Sequence, residues 1–426
     1  MSSDLYRANH PARFWRLRLT PEPSAGDWEE AAAEAAQVLP PAVSAGRAGL
    51  DELLARTLGE EQFGPGHWRL SRGRRLYYRL KPLIPRALVV RMRRLHRRTV
   101  EHADPDLGWP VEDRYARFLW ATASHLLERA GVQEAPFVSF WPQGSSLAFV
   151  LTHDIETAEG QAFVPTLARL EEQLGFRSSF NFVAERYPLD RGLIRDLQAR
   201  GFEVGVHGLK HDGHLFSTRR EFERRARLIN GHLRALGAVG FRSPLTHRNP
   251  EWMQSLEVEY DLSFFDSDPF EPIPGGTMSL WPFMLGRFLE LPYTLAQDFT
   301  LTEVVGERSP RLWLEKMDFL ARFYGMALVN THPDYLQDVN RMRIYIDFLE
   351  AVRERTGCWH ALPRDVARWW RRRAETDEIA SLSGAVEGIV HREGGGRVAI
   401  SLVGSPAQKI AGRVVAGASD VATRGA

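Results

Sequence analysis

From residue 146 to about residue 373, apolar positions gather into short β-like runs that alternate with amphipathic stretches of helix length. Runs at 147–152, 178–183, 203–206, 240–242, 262–265, 289–292 and 327–330 have the length and composition of strands. Helical spacing covers 161–174, 190–200, 217–236, 311–323 and 340–355. Strands separated by crossover helices predict parallel pairing and an α/β fold, a closed or nearly closed β/α barrel with its chemistry at the C-terminal strand ends.

Outside that region the pattern weakens. Residues 1 to about 70 mix Pro, Gly and Ala with Trp15, Trp28 and Trp68 and read as a weakly specified arm, with a short helix at 29–38 ended by Pro40-Pro41. A helical run at 87–99 places Leu88, Met92 and Leu95 at helical spacing among arginines, and 113–130 reads as a helix stopped by Gly131. Residues 136–146 read as a linker. After Arg371–Arg373, the stretches 386–392 and 397–403 alternate around Gly394-Gly-Gly396, a β-hairpin pattern, and the last fifteen residues read as flexible. The division expected is a mainly helical region at 1–145, a barrel at 146–373 and a short β-like extension at 374–426.

Composition narrows the chemistry. With 426 residues and 44% apolar content the chain can bury a large core. One cysteine, Cys358, excludes an intrachain disulfide and a cysteine-rich zinc site, leaving histidines and carboxylates as metal ligands. A net charge of +1 makes no demand for nucleic acid, but Arg72–Arg98 holds eleven Arg or Lys and no acid. Segment 71–99 is therefore expected either to rest on an anionic membrane surface or partner protein, or to present a solvated basic face. The N-terminus has no export pattern, and no window approaches the roughly 18 apolar residues of a span, so the expected location is cytoplasmic, peripheral to the inner face of the membrane.

Candidate chemistry sits just past the strands. Asp154 and Glu156 follow the first run, where one carboxylate can bind a metal while the other takes a proton from water; they can equally cap the next helix. His207 and His211, four apart after 203–206 with Gly208 between, can share one Zn²⁺ from one side of a helical turn. Arg242, with Pro244 and Leu245 behind it, can hold the basic carboxylate by a bidentate contact while a loop N–H faces an oxyanion. Asp266 and Asp268 can orient a histidine or only form turns, and His332 can serve as general acid.

In order and spacing these stretches resemble the polysaccharide deacetylase family, carbohydrate esterase family 4, over about 147–370: an acidic first motif, His-x-x-x-His, Arg-x-Pro, an Asp-containing fourth and a histidine-bearing fifth. The resemblance implies the catalytic unit called the NodB homology domain, on a distorted (β/α) barrel. It further implies Asp154 as base, Glu156 as carboxylate ligand beside His207 and His211, and Arg242 holding the base. The Leu245 backbone N–H would serve the oxyanion, and His332 would be the general acid, supported by Asp266 or Asp268. Ile155 separates acids that are adjacent in many members, which leaves open whether Glu156 or Asp154 is the ligand. His153 and Leu245 replace aromatics, implying an altered cleft.

The implied activity is hydrolysis of an acetyl group, N-acetyl rather than O-acetyl, from a carbohydrate or glycan precursor, a non-peptide C–N bond, with Zn²⁺ as the expected metal. A cytoplasmic site would supply nucleotide- or lipid-linked sugars. Two alternatives stand beside it: a retired barrel acting as a carbohydrate-binding scaffold in glycan assembly, and a hydrolase of a non-sugar C–N bond.

Overall fold

Nine consecutive buried positions, Leu147 to Ile155, form the strand on which the central sheet is assembled. A strand buried on both faces needs apolar cover on each side and partners on both edges, which parallel neighbours with crossover helices supply. The computed structural model describes residues 3–46, 49–64, 67–68, 108–376 and 382–402. In chain order its strands are β1 (Glu134–Val138), β2 (Leu147–Ile155), β3 (Ser179–Phe182), β4 (Glu203–Val206), β5 (Gly240–Phe241), β6 (Tyr260–Asp261), β7 (Phe283–Leu285), β8 (Phe288–Glu290), β9 (Met326–Thr331), β10 (Cys358–His360), β11 (Glu387–Gly394) and β12 (Arg397–Leu402).

Parallel pairing runs β9–β2–β3–β4–β5–β6–β8. Beyond β8, the Thr294 and Leu295 N–H groups donate to the Leu328 carbonyl of β9 at 3.2 and 3.1 Å, so main-chain bonds bring the ring back on itself. The barrel is distorted because β5 and β6 have only two residues each. β10 pairs with the start of β2 on the same edge that β3 uses further along.

The outer helices follow from their spacing. Arg219–Leu236 buries Phe222, Ala226, Ile229, Leu233 and Leu236, is capped by the Thr218 side chain and ends at Gly237 with φ +61°. Ala158–Leu174 is closed in the same way by Thr157 and Gly175. The strand expected at 262–265 lies earlier, at β6. Ser263 turns back there, its N and Oγ bonding the Asp261 carboxylate at 3.1 and 2.7 Å, and the chain leaves the sheet with one bridge, Phe265–Tyr293.

Two other expectations are corrected. The described part of residues 1–70 is packed rather than weakly specified, because aromatic anchors bury it: Tyr6, Trp15 and Trp28 are each at most 5% exposed. The Trp15 Nε1–H donates to the Leu119 carbonyl at 2.8 Å, fixing this segment to the Arg114–Arg129 helix. Residues 136–146 are not simply a linker, since β1 pairs antiparallel with β11 of the β11–β12 hairpin. Alternation buries Ala135 and Phe137 and leaves Glu134 and Pro136 outward. The basic run 87–99 and the last fifteen residues lie outside the described residues. Among those described, no helix is long and apolar enough to cross a membrane.

At the other end of the barrel from the strand-end acids, Glu203 opens β4 as a buried carboxyl that accepts from the Tyr260 hydroxyl at 2.7 Å and the Arg364 N–H at 3.1 Å. Burial pushes it up to about 7. The folded chain therefore keeps a proton that the unfolded chain gives up near pH 4.5, so this group's contribution to stability falls as pH rises through that window. In urea unfolding at pH 5 and pH 8, wild type should lose on the order of 2–3 kcal/mol relative to Glu203→Gln. An unchanged difference between the two pH values would show that Glu203 is ionised throughout.

Candidate active site

Alternation along β2 turns Thr152 and Asp154 to one face and His153 and Ile155 to the other. Asp154, 3% exposed, receives three donors: Asn181 Nδ2 at 3.2 Å and Arg242 Nη1 at 3.5 Å on Oδ1, and Asn330 Nδ2 at 2.8 Å on Oδ2. Burial opposes its charge, but Arg242, then His207 and His332, outweigh burial and hold Asp154 below the usual carboxylate range. Glu156, one pleat on where the strand ends, points into the same cavity. Burial is again outweighed, first by His211, and its carboxyl lies well below its ordinary range.

His153 does not reach the cleft. It is buried beneath the Ala158–Leu174 helix, bonded to Glu171 at 2.8 Å and Thr331 Oγ1 at 2.7 Å, so the cleft alteration expected from it is absent.

The His207–His211 stretch is a loop rather than a helical turn. Gly208 has φ +63° and His211 φ +51°, so two left-handed residues curl the backbone and bring the two rings to 5.2 Å between centroids. A Cβ on Gly208 would meet the Pro244 ring at 2.4 Å, so glycine is required for this loop to pack against the Arg242-Ser-Pro244 turn. His207 Nδ1 lies 3.2 Å from the Arg242 carbonyl, which makes that nitrogen the donor and leaves the Nε2 lone pair facing the cavity. His211 Nε2 is buried with no hydrogen-bond partner although Glu156 Oε1 is 2.9 Å away.

One ligand atom from each of Glu156, His207 and His211 lies within 4.8 Å of the others, the one such His/acid group among the described residues. Two imidazole nitrogens and a carboxylate oxygen converging this way fit a divalent cation, and the unpartnered His211 nitrogen fits it better than it fits a hydrogen bond. Asp154 Oδ2 is 3.8 Å from His207 Nε2, but its oxygens already accept from Asn181, Arg242 and Asn330.

Arg242 meets Asp154 through one nitrogen only. Its Nε–H is spent on the Leu262 carbonyl at 3.0 Å, which turns the fork aside and corrects the bidentate contact expected. Leu245 lines the cavity with φ +60° and ψ 18°.

Asp266 and Asp268 do not support His332. Lys316 Nζ takes Asp266 at 2.5 Å, while Asp268 accepts from the Phe270 N–H at 2.8 Å within its own loop. The histidine's partner is Asp298: Oδ1 lies 2.7 Å from His332 Nδ1 and Oδ2 accepts the His332 backbone N–H at 2.8 Å. Burial works against the imidazolium, but Asp298, then Glu156 and Asp154, raise His332 to about 10. Its Nε2 faces the cavity, 3.7 Å from Glu156 Oε1.

No protein-family model matches the sequence, and no curated protein matches it. Solved structures do match. The chain is similar to polysaccharide deacetylases. One, from Mycobacterium smegmatis and assigned to that class, is 19% identical with a TM-score of 0.45, covering 55% of this chain and 94% of that one. A second, from Pseudomonas aeruginosa PAO1 and likewise assigned, is 18% identical with a TM-score of 0.44, covering 55% and 93%. Puue allantoinase is 16% identical with a TM-score of 0.44, covering 55% and 94%.

The cavity at the strand ends measures about 380 Å³, and its lining includes the half-buried side chains of Phe270, Pro272, Phe299 and Tyr335. Phe299 leads into a π-helical turn, Thr300–Val305, a geometry often found beside functional sites. Asn181, Asn330 and Asp298 were not singled out in the sequence. Asn330 had a local signal, since it stands two residues before His332 on one strand end; Asn181 and Asp298 had none, being brought in by β3 and by the segment after β8.

The metal reading is tested by direct titration. Wild-type protein stripped with a chelator should bind about one Zn²⁺ and gain melting temperature on adding it, a gain set by mass action. His211→Ala and Glu156→Gln should lose both responses, whereas Asp154→Asn should keep the metal. Loss in Asp154→Asn with retention in Glu156→Gln would reverse the assignment of the two acids.

Proposed function

We propose that this chain is a metal-dependent carbohydrate deacetylase of the polysaccharide deacetylase family, acting on an N-acetyl group, with residues 146–373 as its catalytic unit. One observation carries the reading: the buried Asp154, bonded by Asn181, Arg242 and Asn330, and His332, bonded to Asp298, both adjoin the converging ligand atoms of Glu156, His207 and His211. A divalent cation, Zn²⁺ on this donor set, would supply Lewis-acid polarisation of the acetyl carbonyl and acidify a water there.

The chain's own groups complete the hydrolysis. Asp154 accepts a proton from the attacking water, its carboxylate kept in place by Asn181, Asn330 and Arg242. The Leu245 N–H, on a loop forced into a left-handed turn, is the donor for the oxyanion. His332, held by Asp298 with Nε2 toward the cavity, gives its proton to the departing amine, so water and amide become acetic acid, which ionises to acetate, and free amine. An amine leaving group requires that proton, which is why a histidine kept cationic favours an amide substrate. The aromatic side chains of Phe270, Phe299 and Tyr335 in the cavity lining suit the apolar face of a sugar ring.

Acetate release from a broad panel of N-acetylated sugars by the Zn²⁺-loaded protein tests this. Wild type should turn over at least one of them, and Asp154→Asn should lose about 10²–10⁴-fold in kcat while retaining its metal. Undiminished turnover in Asp154→Asn, or a metal-loaded wild type inactive across the panel, would contradict it.

A further inference from the structure

The N-terminal segment sends one buried carboxylate into the barrel. Glu60 follows the Leu50–Leu58 helix in a left-handed conformation, φ +60°, and meets Arg248 across 188 residues of sequence. Both oxygens are used: Arg248 Nε donates to Oε2 at 2.7 Å and Nη2 to Oε1 at 2.5 Å. The side chains are 1% and 2% exposed, and His67 Nε2 lies 3.4 Å from the same carboxylate. Beneath the guanidinium lie the rings of Phe265 and Phe264, centroids at 4.5 and 5.3 Å.

The remaining guanidinium nitrogen of Arg248 is aimed at the active-site loop. Nη1 donates to the Thr246 carbonyl at 3.0 Å. Thr246 and Leu245 are consecutive non-glycine residues at positive φ, +51° and +60°, a conformation that persists only where surrounding contacts impose it. From Thr246 the contacts run on to the carboxylate at the end of β2. Thr246 Oγ1 lies 2.9 Å from Glu271 Oε2, Gln297 Nε2 donates to Glu271 Oε1 at 2.7 Å, and Asn330 Nδ2 lies 3.4 Å from Gln297 Oε1 and 2.8 Å from Asp154 Oδ2.

We propose that Glu60 is a positioning residue of the active site: by fixing Arg248 it imposes the left-handed Leu245–Thr246 turn and so aims the Leu245 N–H into the cavity. The N-terminal segment is then a working part of the barrel rather than an appendage. This rests on the deacetylase reading for the use made of the N–H, but not for the ordering of the loop. Removing one charge of a buried bidentate pair leaves the other uncompensated, so Arg248 must move and the turn relaxes with it. Misplacing an oxyanion donor lowers the rate of the chemical step and leaves metal and ground-state binding in place.

The test uses the full chain loaded with Zn²⁺. Glu60→Gln should lower kcat for the acetylated substrate by about ten- to a hundredfold, with KM and metal content within about twofold of wild type. Arg248→Lys, which keeps the charge but not the fork, should fall in the same direction by less. Leu54→Ala, which opens a cavity at a fully buried apolar side chain of the same segment and removes no charge or hydrogen bond, should lower the melting temperature while keeping kcat. Amide hydrogen exchange reads the loop without any substrate: Leu245 and Thr246 should exchange faster, relative to their neighbours, in Glu60→Gln and not in Leu54→Ala. Wild-type kcat with unchanged exchange in Glu60→Gln, or equal loss of kcat in Leu54→Ala, would overturn the proposal. If wild type releases no acetate, the deacetylase reading is what fails, and the exchange comparison still decides the role of Glu60.

Discussion

An ionised carboxylate at the end of a fully buried strand is a costly arrangement, and much of the site is explained by what keeps Asp154 charged there. Desolvation alone would push it toward neutrality. Two amides and a guanidinium oppose this, each from a different strand: Asn181 from β3, Asn330 from β9 and Arg242 from just past β5. Because β2 sits between β3 and β9, its neighbours on both edges reach the same carboxylate. The barrel's order thus places the donors, and the donors permit the charge.

A second buried charge is managed differently. His332 sits opposite the acids with Asp298 bonded to its ring and to its backbone, which fixes both its tautomer and its proton. Both groups adjoin the Glu156, His207 and His211 ligand atoms: Asp154 Oδ2 is 3.8 Å from His207 Nε2, and His332 Nε2 is 3.7 Å from Glu156 Oε1. A negative group to accept a proton and a positive one to give it, both beside a candidate cation site, is the pattern that the proposed amide hydrolysis requires. In the proposed reaction neither group has to change its environment to act.

What the sequence revealed divides along the range of the interactions. β4 was legible to the residue, and the Glu156, His207 and His211 group was recoverable, because each rests on local patterning: a short apolar run, a glycine, ligands next to strand ends. The shape of the His207–His211 loop was not, since spacing of four suggests a helix, and only the Pro244 ring packed against Gly208 shows why the backbone curls instead. Asp298 escaped because its partner is 34 residues away and no motif marks it, while Asp266 and Asp268, richer in apparent signal, are taken by Lys316 and by their own loop. Glu60 was least visible, lying in a stretch whose composition reads as an arm. Its aromatic anchors, Tyr6, Trp15 and Trp28, find their cover only in the folded chain, Trp15 against the Arg114–Arg129 helix.

The proposed hydrolysis requires a division between Glu156, as ligand, and Asp154, as a base kept off the metal. Anomalous scattering at the zinc edge from crystals of the loaded protein measures that division directly. One peak is expected at roughly 2.0–2.1 Å from His207 Nε2 and His211 Nε2 and from a Glu156 oxygen, with Asp154 bonded to Asn181, Asn330 and Arg242 and not to the metal. A peak coordinated by Asp154, or located away from these histidines, would contradict it.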